Sequence, residues 1–178
     1  MGYAVELNLS RDSAARVVKV WESLAREGIS SVMLDVDAQP HISLAVFEDL
    51  KPEALRADLS RFAEVTRPLS LDLASAGTFP TAKGVVFLAP VVTQELLSVH
   101  SRFHSLLRER GIDSVEYYRP GKWVPHCTVA IDLAPDKVGA ALEMCVQSEA
   151  FGAVDLDKVS LIEFRPVREI CTFSLGGP

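Results

Sequence analysis

Hydrophobic positions along the chain fall into short runs whose spacing alternates between strand-like and helix-like. Tyr3 to Leu9 puts Val5, Leu7 and Leu9 on one side and Ala4, Glu6 and Asn8 on the other, which predicts a strand. From Arg11 to Glu27, Val17, Val18, Trp21, Leu24 and Ala25 share one helical face, and Gly28 stands where such a helix would end. A strand near Val32 to Val36, a loop to Pro40 and a strand from His41 to Phe47 are expected next. Pro52 suits the first turn of a helix carrying Leu55, Leu59 and Phe62, and Leu69 to Ala76 reads as another strand. The second half repeats this order. Gly84 to Ala89 predicts a strand, Thr93 to Arg110 a helix closed by Gly111, and Ser114 to Tyr118 a further strand. His126 to Asp132 follows as a strand, Pro135 opens a helix with Val138, Leu142 and Cys145, and strands lie within Val154 to Phe164 and Ile170 to Leu175.

The repetition extends to individual residues. Pro40-His41-Ile42-Ser43-Leu44-Ala45-Val46 matches Pro125-His126-Cys127-Thr128-Val129-Ala130-Ile131, and Leu71-Asp72, Ser75 and Phe79 match Leu156-Asp157, Ser160 and Phe164 at the same offset. Leu24, Gly28 and Ile29 match Leu107, Gly111 and Ile112 at nearly that offset. Residues 1–178 are therefore expected to form a single bilobal domain built from two copies, approximately 1–83 and 84–178. The best-matched segment contains a histidine, which a purely architectural repeat of core strands would not need.

Composition narrows the possible partners. The 178 residues are 48% hydrophobic and 24% charged, ordinary values for a globular domain, and the formal net charge is -6. Such a chain has no general attraction for long polyanions, although a local site for one phosphate remains open. Val85 to Val92, the longest apolar stretch, is broken by Pro90 and is too short for a bilayer span, and the first residues carry no targeting pattern. Three widely spaced cysteines, Cys127, Cys145 and Cys171, suit a reduced cytoplasmic protein better than a disulfide framework or zinc site.

Side chains two apart on a strand share a face, so His41 points with Ser43 and His126 with Thr128, each strand keeping an apolar back. If the two polar faces converge, the cleft between them holds two imidazoles and two hydroxyls. One imidazole can accept a proton from an attacking oxygen while the other donates to the departing one. The hydroxyls can hold the non-bridging oxygens of a phosphate, and no metal or cofactor is needed.

Two His-x-Ser/Thr-hydrophobic motifs in a duplicated domain, with Gly77-Thr78-Phe79-Pro80 and Trp123-Val124-Pro125-His126 beside them, resemble the 2H phosphoesterase superfamily, in particular its bacterial 2′-5′ RNA ligase-like (cyclic phosphodiesterase) branch. The resemblance implies an α+β, two-lobed fold of antiparallel sheets flanked by helices around a central cleft. It implies His41 and His126 as the catalytic pair and Ser43 and Thr128 as phosphate binders. It also implies action on 2′,3′-cyclic phosphates or 2′-5′ bonds of small nucleotides or RNA ends, and a monomer is expected. Two alternatives carry different consequences: a noncatalytic module that binds nucleotides or RNA ends, and a ligase or cyclising transferase using the same pair in reverse.

Further substrate contacts are sought where cations and aromatics mix. Tyr118, Arg119, Lys122 and Trp123 lead into the second motif, and Phe79 and Lys83 lie near the junction of the halves. Arg119 and Lys122 read as phosphate or substrate contacts, Trp123 equally as a stacking or rim residue, and Phe79 first as core packing. His100 and His104 have the i, i+4 spacing of helical metal ligands but lack the accompanying glutamate, and His100 falls on an apolar face. Strand alternation turns Cys127 away from His126, and Asp132 is expected near the rim.

Overall fold

A strand-helix-strand-helix-strand order occurs twice in the computed structural model, which describes residues 2–164 and 166–177. The first round is β1 (Gly2–Leu9), α1 (Arg11–Arg26), a one-turn α2 (Val32–Asp35), β2 (His41–Phe47), α3 (Pro52–Glu64) and β3 (Leu69–Thr78). The second is β4 (Gly84–Pro90), α4 (Gln94–Glu109), β5 (Cys127–Leu133), α5 (Val138–Val146) and β6 (Gly152–Phe164), followed by β7 (Arg168–Ser174). The α+β architecture of antiparallel strands and helices that the family resemblance implies is the one the chain adopts.

All strand pairs are antiparallel, in the order β2-β1-β6-β3-β4-β5, with β7 also paired to β6. The thirteen-residue β6 joins two sub-sheets. Its first residues, Gly152 to Leu156, pair with β3, and the remainder runs between β1 and β7. Strands β1 and β2 of the first round are thus completed by β6 of the second, while β4 and β5 are completed by β3 of the first. Neither half of the sequence closes a sub-sheet by itself.

The helices follow the same exchange. Helix α1 packs against α5 and β5, and α3 against β6 and β7. Trp21, on α1 and 2% exposed, sends its indole N–H across to the Thr128 carbonyl at 3.3 Å. On α4, His104 donates from Nε2 to the Leu44 carbonyl at 3.0 Å. Phe103 of α4 meets Phe62 of α3 edge-on with ring centroids 5.3 Å apart. Fully burying side chains of this size contributes about 1.5–3 kcal/mol each, so this aromatic pair is a principal anchor for the two helices.

Two predicted strands are not strands. Val32 to Asp35 turns as helix because only Met33 faces the core and the Ser31 carbonyl accepts from both Leu34 and Asp35. A strand there would need a partner, whereas the segment must turn sharply through Asp37, at φ 53°, to reach Pro40. Ser114 to Tyr118 makes one strand-like bond, Val115 N–H to the Val46 carbonyl at 2.7 Å, and then winds into a 3₁₀ turn at Glu116–Tyr118. No helix among the described residues is long and apolar enough to cross a membrane.

The Trp21 bond gives a test of the cross-half packing. Trp21→Phe keeps an aromatic ring but leaves the Thr128 carbonyl without its donor, and should lower unfolding free energy by about 1–3 kcal/mol. Urea denaturation of the two proteins measures this, and an unchanged midpoint would mean the bond does not stabilise the β5 edge.

Candidate active site

Each motif enters its strand through a proline. Pro40 and Pro125 fix their own φ and bias the preceding residue to extended backbone, which aims the carbonyls of Gln39 and Val124 at the following histidines. His41 Nδ1 bonds the Gln39 carbonyl at 2.6 Å, and His126 Nδ1 bonds the Val124 carbonyl at 2.7 Å. A carbonyl only accepts, so Nδ1 carries the proton in both rings and Nε2 is the nitrogen left for chemistry. The same local backbone thus sets the same tautomer twice.

His41, Ser43, His126 and Thr128 all line one cleft of about 1130 Å³. Neither the Ser43 nor the Thr128 hydroxyl bonds another described residue. Burial lowers the His126 pKa, and charge on His41 lowers it further. Burial is the larger of the two causes, and the bond to Val124 opposes it only in part.

The surroundings of the two imidazoles differ sharply. In the strand register, Glu6 of β1 stands beside Ser43, and Phe87 of β4 stands at the matching place beside Thr128. Glu6 is 4% exposed and its Oε1 lies 3.2 Å from His41 Nε2. Burial raises the Glu6 pKa, with the nearby imidazole lowering it in part. His126 instead faces Phe79 and Phe87, with ring centroids 5.0 and 5.2 Å away. Past Glu6 a polar row crosses the floor of the cleft: Ser160 Oγ donates to Asn8 Oδ1 at 2.6 Å and lies 2.8 Å from Thr172 Oγ1.

Of the further candidates named from the sequence, Tyr118 lines the cleft, its phenol pKa raised by burial and then by the charge of Glu6. Phe79 packs at a tilt on Phe87 and edge-on against His126. Lys83 reaches the rim, pairing at 3.4 Å with Asp132, which lines the cleft. Arg119, Lys122 and Trp123 are not among the lining residues. Arg119 donates to the Ser114 carbonyl and pairs with Asp113, and Lys122 pairs with Glu116, so local carboxylates answer both cations. Trp123 donates its indole N–H to the Ser43 carbonyl at 3.0 Å, behind the motif strand. Cys127 is fully buried, its thiol pushed up to about 12 by desolvation.

Strand alternation puts Glu6 and Asn8 on one side of β1 without assigning them a role. The available signal was two polar residues, i and i+2, on the side of the first strand opposite its apolar face. Only the pairing of β1 between β2 and β6 makes that side the floor of the site.

His100 and His104 form a support behind β2. The His100 ring stacks on Trp123 at 3.8 Å and lies 4.4 Å from the His104 ring, and its Nε2 donates to the Tyr118 carbonyl at 2.9 Å. Each Nε2 is committed to a carbonyl. Among the described residues no group of three or more His, Cys, Asp or Glu side chains could hold a metal ion.

Desolvation, with the neighbouring His104 as the second cause, pushes the His100 pKa down to about 4 from 6.5. The unfolded chain takes up this proton first, so the contribution of neutral His100 is complete above about pH 6.5 and is lost as pH falls towards 4. Stacking on Trp123 favours the cation and reduces the effect, leaving a predicted loss of about 2–3 kcal/mol at 1.36 kcal/mol per pKa unit. Urea midpoints from pH 7 to 4.5 should fall steeply for the wild type and less for His100→Gln. Equal slopes would place the acid sensitivity elsewhere.

A sequence profile of the 2′-5′ RNA ligase superfamily matches residues 12–167. No curated protein matches the chain in sequence. Among solved structures, TT0787 of Thermus thermophilus superposes with a TM-score of 0.62 at 18% identity, covering 99% of each chain. Escherichia coli LigT in its apo form gives 0.62 at 15% identity, over 98% of this chain and 96% of that one. Its complex with 3′-AMP gives 0.61 at 17% identity over 97% of both.

Proposed function

The chain belongs to the 2′-5′ RNA ligase superfamily of 2H phosphoesterases, and from that premise we propose that it is a metal-independent phosphodiesterase opening 2′,3′-cyclic phosphates or 2′-5′ linkages of small nucleotides or RNA ends. The observation that carries this reading is the pair of imidazoles held in one tautomer and lining one cleft with Ser43 and Thr128, whose hydroxyls bond no other described residue. The presence of 3′-AMP in a structure of LigT, a protein of the same fold, supports a nucleotide-sized ligand.

In this mechanism the phosphate sits between His41 and His126, and Ser43 and Thr128 donate hydrogen bonds to its non-bridging oxygens. One imidazole removes a proton from water as the water oxygen bonds phosphorus. The other protonates the ribose oxygen as its bond to phosphorus breaks. Holding the reactants in line and meeting developing charge with fixed donors supplies much of the remaining acceleration. The same reading takes the protein to be a cytoplasmic monomer, in keeping with three free, buried cysteines.

Turnover of a nucleoside 2′,3′-cyclic phosphate should persist in EDTA. His41→Ala and His126→Ala should each reduce kcat by about 10²–10⁴-fold, the usual worth of general acid–base catalysis. Ser43→Ala and Thr128→Ala should cost less, since each removes a hydrogen bond and no proton carrier. Near-normal turnover in either histidine variant would refute the paired-histidine mechanism, and binding without turnover by the wild type would favour a noncatalytic module.

Salt dependence tests the size of the substrate. Each phosphate neutralised on a single strand adds a slope of about −0.7 in log K against log[salt], so a pocket for a small ligand predicts a slope of one or two contacts. A long RNA and a mononucleotide with the same terminus should then show similar kcat/KM. A steep slope with a strong preference for the long RNA would reveal an extended binding surface.

A further inference from the structure

Paired-histidine chemistry does not call for Glu6, yet its carboxyl group sits on the working nitrogen of one of the two histidines. The His41 Nδ1 proton is already given to the Gln39 carbonyl, so in neutral His41 the Nε2 atom presents a lone pair. A carboxylate oxygen 3.2 Å away also presents lone pairs, and the contact is attractive only with a proton between the two atoms. Protonated Glu6 beside neutral His41, or ionised Glu6 beside the imidazolium, satisfies this equally well. In either form the pair holds one transferable proton and no net charge. Phe87, at the matching position of β4, gives His126 no such partner.

We propose that Glu6 is a positioning residue that stores the proton His41 delivers, making His41 the acid and His126 the base of the reaction. This rests on the phosphodiesterase reading above. As the water oxygen bonds phosphorus, its proton passes to His126 Nε2. The bond from phosphorus to the ribose oxygen breaks, its electron pair stays on that oxygen, and the oxygen takes the proton from His41 Nε2. Glu6 is left anionic as His126 becomes cationic, so the total charge of the protein groups is unchanged through the step.

Several ionisable groups face Glu6. His41 does so from β2 and the Tyr118 phenol from the 3₁₀ turn, while the buried Cys127 thiol of β5 lies within range of its charge. Lys158 lies across β6, paired in register with Asn8 and lining the same cleft. The Glu6 carboxyl is raised by burial, and its charge in turn raises Tyr118 and Cys127, so the group is coupled to its neighbours on three elements.

The test uses the full chain and two readouts. In ¹³C NMR, the Glu6 carboxyl, assigned by its loss in Glu6→Gln, should titrate above the usual range near 4.3, and further upward by about one unit in His41→Asn or His41→Gln. His126→Asn should shift it much less. A Glu6 midpoint indifferent to His41 would overturn the proposal whether or not the protein turns over any substrate.

The second readout is the pH profile with a nucleoside 2′,3′-cyclic phosphate. Glu6→Gln should move the alkaline limb of kcat to lower pH by about one unit, leave the acid limb in place and change KM by no more than about twofold. Glu6→Asp should restore the limb in part. A uniform loss at every pH would mean a structural role only and would overturn the proposal. Unimpaired His41→Ala and His126→Ala variants would instead sink the parent reading, while the carboxyl titration still reports the Glu6–His41 pair.

Discussion

Strands β2 and β5 lie at the two ends of the strand order, each paired on one side only, and they carry the two histidine motifs. An edge strand presents unpaired carbonyls that water would solvate and that let the strand shift. Here ring N–H donors cover them. Trp123 bonds the Ser43 carbonyl and His104 the Leu44 carbonyl on β2, while Trp21 bonds the Thr128 carbonyl on β5. Every one of these donors comes from the opposite half of the chain. Each bond contributes only about 0.5–1.5 kcal/mol net, yet leaving the carbonyls unmet beneath the packed helices would cost more. The position of each motif strand is therefore set by the other half, as is the third strand of each sub-sheet, and the two imidazoles are located relative to one another by the fold itself.

Equivalent backbone does not make equivalent chemistry. The Pro-His step repeats, and with it the Nδ1 bond to the carbonyl two residues back. That bond fixes geometry and tautomer alike on both sides. What stands beside Nε2 is where the halves diverge: a buried carboxyl group on one side and two phenyl rings on the other. An apolar wall disfavours the cation because it offers no charge in place of lost water, whereas a carboxylate offers one at close range. On the proposed reading, this difference is what gives direction to a site built from near-equal copies.

How much was legible in the sequence follows from how local each determinant is. The order of strands and helices was readable because amphipathic periods are local, and the in-register motifs pointed to a convergent pair before any coordinates. Val32 to Val36 misled because a short apolar run also suits a strand, while the chain had only a few residues in which to turn towards Pro40. Arg119 and Lys122 looked like phosphate ligands because composition shows cations without showing Asp113 and Glu116 beside them. Glu6 went unassigned for the converse reason. A glutamate on the polar side of a strand ordinarily faces water, and only the placement of β1 between β2 and β6 buries it.

Charge in the cleft constrains how a phosphate could be held. Among the described residues, Glu6, Asp37, Asp132 and Glu169 line it alongside only Arg11 and Lys158, in a chain of formal net charge -6. No strong positive field draws an anion in from a distance. On the proposed reading, attraction has to come at contact, from hydroxyl donors and from whichever imidazole carries a second proton. A Glu6–His41 pair with its single shared proton is neutral as a unit, so it spares the incoming phosphate the repulsion that a bare buried carboxylate would exert at this range. The proton that later leaves with the ribose oxygen is then the same proton that makes the cleft tolerable to phosphate. Binding and acid catalysis draw on one ionisation, and a phosphate ester would enter readily only in the protonation state from which it can also react.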